Sequence, residues 1–196
     1  MHLQGNLLTA PKEVFSGWKA FAIRRLSLAV ASRARKVRCV SEDLARLAVH
    51  FGVVPEKIVV VPSRCDIALF EPGRWQSERP ALRQALGLAE GDIAVLFTGT
   101  LWVAKGVDVL IRAVALARAR DVPVRLVIVG GGRDEGELRN LVTSLGLNSQ
   151  VRFHGRVPHD RIPGLLAAAD VFVFPSLDEG MPRSVLEAMA MELPVI

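Results

Sequence analysis

The sequence has no tyrosine, three tryptophans, two cysteines and no long hydrophobic run. Each shortage excludes something. So few rings offer few stacking platforms, which counts against a surface that binds single-stranded nucleic acid. Cys39 and Cys65 stand far apart without C-x-x-C spacing. That argues against a disulfide scaffold and a zinc site, and fits a reducing, cytoplasmic compartment. No stretch without a formal charge exceeds 12 residues, and one of that length, Ile93 to Ala104, includes Thr, Gly and Trp. A membrane span needs roughly 20 predominantly apolar residues, so none is expected. The start, Met-His-Leu-Gln-Gly-Asn, lacks the basic and then apolar form of a signal peptide. The four histidines, His2, His50, His154 and His159, show no ligand spacing and are expected to be structural or exposed.

What is present describes a globular α/β protein. Of 196 residues, 51% are hydrophobic and 23% charged, enough for a substantial core. The net charge of +5 is unevenly placed: residues 1–80 carry 13 Lys or Arg against 7 Asp or Glu, and residues 81–196 carry 12 against 13. Seven basic residues and no acidic one lie between Lys19 and Arg38. Such a block can attract an anionic membrane surface, nucleic acid or a phosphorylated substrate, or can simply be the solvated face of a helix.

Residues 18–35 repeat apolar positions at helical spacing, through Trp18, Phe21 or Ala22, Leu26, and Ala29 or Val30. Val37–Val40 reads as a buried strand. Ser41 reads as a helix N-cap, with Glu42 and Asp43 at the positive end of a helix that stops near Gly52. Ile58–Val61 is a second buried strand, and Ser63–Pro80, rich in turn residues, reads as a connection. From Ala81 apolar strands (93–98, 124–129, 151–153, 171–174 and a start at 193–196) alternate with helical patterns (106–120, 134–146, 159–169 and 182–191). That alternation predicts a parallel sheet covered on both faces. The expected organisation is residues 1–64 as the end of one α/β domain, 65–80 as a linker, and 81–196 as most of a second. The first domain is expected to be only partly present and the second to lack its C-terminal end.

Ligands of open α/β sheets bind beyond the carboxyl ends of the strands, where helix N-termini offer N–H groups. Three loops there carry suitable residues. In Thr98–Gly106, Gly99 and Thr100 bring backbone close, and Lys105 stands just before a helix, where it can reach a phosphate. Gly130-Gly131-Gly132 follows a strand, but a G-x-G-x-x-G series would need glycine at 135, where Glu135 stands. The dinucleotide fingerprint fails, and a turn built for close backbone approach is the better account. The G-x-x-x-x-G-K-[S/T] phosphate loop is absent. In Pro175–Met189, Glu179 lies ahead of a helix and Glu187 on it, with the amides from Gly180 to Ser184 between them. Two acids flanking an amide nest suit a nucleotide sugar, with hydroxyls on both sides of its phosphates. They equally suit a plain helix start with dipole-favoured acids.

The segment Glu179-Gly-Met-Pro-Arg-Ser-Val-Leu-Glu187 resembles the E-x7-E signature of retaining glycosyltransferase family 4, the glycosyl transferases group 1, of GT-B fold. Val40-Ser-Glu-Asp-Leu, Pro55–Pro62, Phe70-Glu-Pro72, Lys105–Ala113, Leu126–Gly132, Val151–Gly155 and Ala168–Ser176 resemble it too. The resemblance covers roughly residues 35–196. It implies two Rossmann-like domains, the second binding a UDP- or GDP-linked sugar donor. Glu187 would grip the ribose and Glu179 the donor sugar's hydroxyls. The amides of Gly180 and Met181 would lie near that sugar and the phosphate, with Gly130 lining the donor site. Backbone from Gly155 through Arg156 to Val157 would edge the base, and Lys105 would neutralise the leaving diphosphate. The family needs no metal, and this sequence has no D-x-D. The implied activity is sugar transfer with retention to a carbohydrate or lipid-linked acceptor, in bacterial surface or exopolysaccharide synthesis. The implied location is the cytoplasm, with segment 19–38 peripheral at the inner membrane and no nucleic-acid partner.

Three departures stand out. The family's Gly-Arg-Leu series is Gly99-Thr100-Leu101 here, so one phosphate clamp is missing. Asn-Gly-Val-Asp appears as Ser63-Arg64-Cys65-Asp66, and the His-Gly-Asp series beside the acceptor finds only Gln4-Gly5-Asn6. These departures keep two alternatives open: a donor-binding protein impaired in turnover, and a sugar-nucleotide epimerase on the same fold.

Overall fold

Two parallel sheets organise the chain in a computed structural model that describes residues 2–3, 18–177 and 179–196. The chain divides into two compact units, Met1–Arg64 with Leu177–Arg183, and Cys65–Ser176 with Ser184–Ile196.

In the first unit, β1 (His2–Leu3), β2 (Val37–Cys39) and β3 (Ile58–Val60) lie side by side in that order, all parallel. The expected strands at 37 and 58 are present, and β1 adds one that two residues could not reveal; β3, expected to be buried, is not, with Ile58 and Val60 half-buried and Val59 40% exposed. Helix α1 spans Trp18–Arg33 and α2 spans Glu42–His50. Ser41 caps α2 as expected, its hydroxyl accepting from the Leu44 amide at 3.3 Å. Ala31, Val37, Cys39, Val40, Leu44, Ala48 and Val53 form the core.

The apolar positions read at helical spacing in α1 face out: Trp18 is 76% exposed, Phe21 61% and Leu26 66%. The helix instead packs through the small Ala31 and through Leu28.

In the second unit the sheet order is β6-β5-β4-β7: Val151–Gly155, Val124–Val129, Ile93–Thr98 and Val171–Phe172. Residues 193–196 contribute a bridge from Val195 to Phe172 rather than a full strand. Helices α4 (Val107–Arg118), α5 (Glu135–Ser144), α6 (Ile162–Ala168) and α7 (Arg183–Ala190) follow β4, β5, β6 and β7. One core cluster holds Leu96, Val127, Leu166 and Phe172; the other holds Phe97, Ile111, Ile128 and Leu147.

The expected linker is not one. Residues 65–80 group with the second unit: Phe70 is fully buried in its core, and Trp75 packs against that core. A further helix, α3 (Arg79–Ala85), follows it. Its seven residues begin Arg-Pro-Ala, and so short a segment shows no legible period. The segment 177–183, expected in the second domain, groups with the first unit.

Candidate functional site

The strand order places a topological switch in the second unit. From β4 the chain winds one way through β5 to β6, then returns to lay β7 against the other side of β4. In such sheets the crevice beyond the carboxyl ends is where a ligand has both loops and helix N-termini to meet it.

Four loops are joined there. Beyond β4, the Gly99 amide donates to the Val129 carbonyl at 3.0 Å and the Leu101 amide to Gly131 at 3.3 Å. Asp134 donates back to the Leu101 carbonyl at 3.2 Å. Gly130 has φ of 138°, and a Cβ there would stand 1.9 Å from the Gly99 carbonyl oxygen. The glycine turn therefore permits a close approach, but to the neighbouring loop's backbone. The Gly130 amide also donates to the Gly155 carbonyl at 2.8 Å, tying in the loop after β6. On that loop Arg156 is exposed, donating to the Gly131 carbonyl at 3.4 Å, and Val157 is half-buried. Thr100, standing where the resemblance implies an arginine, is exposed.

Lys105 ends a 3-10 turn, Val103–Lys105, directly before α4. Gly106 follows with φ of 63°; a Cβ on it would fall 2.1 Å from the Pro175 carbonyl oxygen, so the loop after β7 presses against this turn. Ser176 reinforces the contact by donating its hydroxyl to the Ala104 carbonyl at 3.0 Å. Lys105 is half-buried, its Nζ 5.4 Å from the centroid of Phe174. That ring stacks on Phe97 at 5.8 Å and on Phe172 at 6.2 Å. An ammonium over a ring face is attracted to its quadrupole. The lysine is thus held at the crevice by a stack that begins in the core.

Glu187 is 6% exposed, on the second turn of α7. A carboxylate so placed needs hydrogen-bonding partners. His159 supplies one, its Nε2 lying 2.9 Å from Glu187 Oε1. The imidazole opens the 3-10 turn His159–Arg161 after β6 and rests against buried Phe70, ring centroids 5.4 Å apart. His159 is exposed, as the sequence led one to expect, but it also pairs with the site's buried acid, which its spacing gave no reason to expect. The available signal was its position four residues beyond Gly155, among the loops that such a sheet brings together. His154, by contrast, lies in β6, where burial and then Arg152 push its imidazole below its ordinary pKa.

Glu179, Gly180 and Met181 are half-buried and group with the first unit. Met181 packs against that unit's core, and its carbonyl accepts from the Ser63 hydroxyl at 3.1 Å. The two acids expected to work as a pair therefore fall in different units. Gln4-Gly5-Asn6 lies outside the described residues. Among the described residues, no three His, Cys, Asp or Glu side chains group as a metal site, and no helix is long and apolar enough to cross a membrane.

The family profile for glycosyl transferases group 1 matches residues 78–196. The D-inositol 3-phosphate glycosyltransferase of Rhodococcus erythropolis is 33% identical over 174 residues, which is 85% of this chain and 38% of that protein. The chain thus spans well under half the length of that relative. Among solved structures, Anabaena HepE in complex with UDP-glucose has 30% identity and a TM-score of 0.84, covering 99% of this chain and 51% of the other. WaaG, a glycosyltransferase involved in lipopolysaccharide biosynthesis, has 27% identity and a TM-score of 0.71, covering 90% and 47%. The α/β architecture with parallel sheets is the one that GT-B glycosyltransferase structures share.

Proposed function

The chain belongs to the glycosyl transferases group 1 family, and on that premise we propose that it carries the donor site of a glycosyltransferase. The enzyme moves a sugar from a UDP- or GDP-linked donor to a carbohydrate or lipid-linked acceptor, with the anomeric configuration retained. The observation that carries this reading is the crevice beyond β4–β7: the loop bearing Lys105 is joined backbone to backbone to the glycine turn, and the buried Glu187 on α7 meets His159 of the loop after β6. HepE, similar over nearly the whole chain, was solved with UDP-glucose.

Each residue has a role in this reading. Glu187 accepts from the ribose hydroxyls, and Gly155, Arg156 and Val157 edge the base. Gly99, Thr100 and Gly130 shape the floor beneath the phosphates. Lys105 meets the diphosphate, where a fixed positive charge stabilises the leaving group as the anomeric C–O bond breaks and its electron pair passes to phosphate oxygen. The acceptor hydroxyl attacks on the same face and gives its proton to the departing phosphate. Glu179 and the amides of Gly180 and Met181 hold the donor sugar. No metal is required by this chemistry, since the cation that balances the diphosphate is a side chain.

The product belongs to surface or exopolysaccharide synthesis in this reading, with the protein cytoplasmic and peripheral at the inner membrane. The outward apolar residues of α1, with exposed Arg25, Arg33 and Arg35, support that contact. Thr100 in place of an arginine favours a second reading, donor binding with impaired turnover.

Calorimetry with UDP and GDP on the protein carrying this chain tests the assignment. Lys105→Ala and Glu187→Ala should each weaken the nucleotide about tenfold or more, the loss expected for a charged hydrogen-bonding partner. Unchanged affinity in both variants removes the assigned roles. Binding without transfer or hydrolysis of the donor sugar selects the second reading.

A further inference from the structure

We propose that His159 is a positioning residue for the donor ribose: it orients the Glu187 carboxylate for the nucleotide. The inference rests on the reading of Glu187 given above and goes beyond it, since no feature of the E-x7-E signature points to residue 159.

The geometry has three parts. Glu187 comes from α7, which follows β7, and His159 from the turn after β6, so their 2.9 Å contact joins the elements that follow the sheet's two edge strands. The imidazole in turn is fixed by Phe70, which is fully buried, at 5.4 Å between centroids. Finally, the two ends of the pair differ in exposure: the Glu187 side chain is 8% exposed and that of His159 49%. The buried carboxylate is thus held by a group that solvent can reach.

A carboxylate has about four lone-pair sites. A ring N–H donating to one of them fixes the plane of the group and so the direction of the rest. Two vicinal ribose hydroxyls need a carboxylate in one rotamer, and holding it there before binding removes an ordering cost from the association. Gln in place of His can still donate an N–H over a similar reach, whereas Ala cannot.

The test is calorimetry on the protein carrying this chain, with UDP and GDP as probes and their 2′,3′-dideoxy forms as controls, on wild type, His159→Ala, His159→Gln and Glu187→Ala. His159→Ala should weaken the nucleotide that binds by about tenfold, with His159→Gln restoring affinity to within about threefold of wild type. Against the dideoxy form, which lacks the hydroxyls, His159→Ala should have little effect. A role confined to folding would not discriminate between ribose and dideoxyribose, nor be rescued only by a donor. Loss in Glu187→Ala with full affinity in His159→Ala overturns the inference and leaves the donor site standing. So does a His159→Ala loss of equal size against the dideoxy form. Full affinity in Glu187→Ala, or binding of neither nucleotide by wild type, overturns both.

Discussion

The two ends of the second sheet use charge in opposite ways. At the amino end, Asp170 binds the Ala94 amide at 2.8 Å and both Arg79 and Arg83, and those guanidiniums reach the carbonyls of Ala167, Ala168 and Ala169 at the end of α6. Asp92 takes the Ala89 amide at 2.7 Å and Arg125 at 3.2 Å, while Arg83 donates to its carbonyl. These charges bind one another and the backbone, and they fasten α3 and α6 to the strand starts. At the carboxyl end the backbone is fastened by glycine approaches instead, and cations meet rings: Lys105 on Phe174, Arg133 on Trp102. The contrast teaches that a dense ion cluster is not evidence of a site. Its position relative to the strand direction decides.

The largest effect should come from the end fastened by glycine approaches. Gly130→Ala forces a Cβ to 1.9 Å of a carbonyl oxygen at a φ that L residues rarely adopt, so the two loops must separate. A loss of about 3 kcal/mol in urea unfolding is expected, with nucleotide affinity lost alongside stability. Unaltered affinity in a folded variant would mean that these loops do not form the floor of the site.

Asp170→Ala should come next, at about 2–3 kcal/mol, because two guanidiniums and a backbone amide lose their shared acceptor. Here stability and binding should part: under conditions where the variant is folded, its affinity for UDP or GDP should match wild type. A folded Asp170→Ala protein that fails to bind would erase the distinction between the two ends.

How much of this was legible follows from how local each cause is. Strands 93–98 and 124–129 were readable to the residue, because continuous buried runs leave no second interpretation. Ser41 was readable because a cap acts three residues away. The face of α1 was not, since Ala31 and Val30 are both apolar and only the residues packed around Ala31, from β2 and α2, distinguish them. Phe70 and Trp75 lie in a stretch of turn residues, and they pack against a core that includes α6, distant in sequence. The same distance hid His159, 28 residues from the acid that it meets. The roles given to Lys105 and Glu187 come from the resemblance, whereas the glycine turn's actual neighbour needed the sheet to be assembled.

A smaller effect is expected from pH. Burial pushes the Asp170 carboxyl up, but the Ala94 amide, Arg83 and Arg79 outweigh it and hold the group below its ordinary value. Asp92 behaves alike: burial raises it, and the Ala89 amide, Arg125 and Arg83 bring it lower. A depressed folded-state value stabilises fully above the unfolded carboxylate value of about 3.9, and that stability is lost as pH falls through the folded value. Urea midpoints should therefore drop as pH is lowered below about 4. In Asp170→Asn the drop should be shallower, as one contributing carboxylate is gone. An equal slope in the variant would show that the cluster's charge does not fasten this end.

The smallest effect sharpens the view of the other end. Phe174→Leu keeps apolar volume between Phe97 and Phe172 but removes the ring face beneath the Lys105 ammonium. A cation–π contact at a partly exposed site is worth about 0.5–1 kcal/mol, so UDP or GDP affinity should fall by roughly two- to fivefold. The Lys105→Ala change is expected to cost more, because it takes the charge itself away. If the ring acts only by holding that charge in place, Phe174→Leu should add nothing further once Lys105 is alanine, and the double variant should bind like Lys105→Ala alone. Additive losses would instead give Phe174 its own contact with the nucleotide.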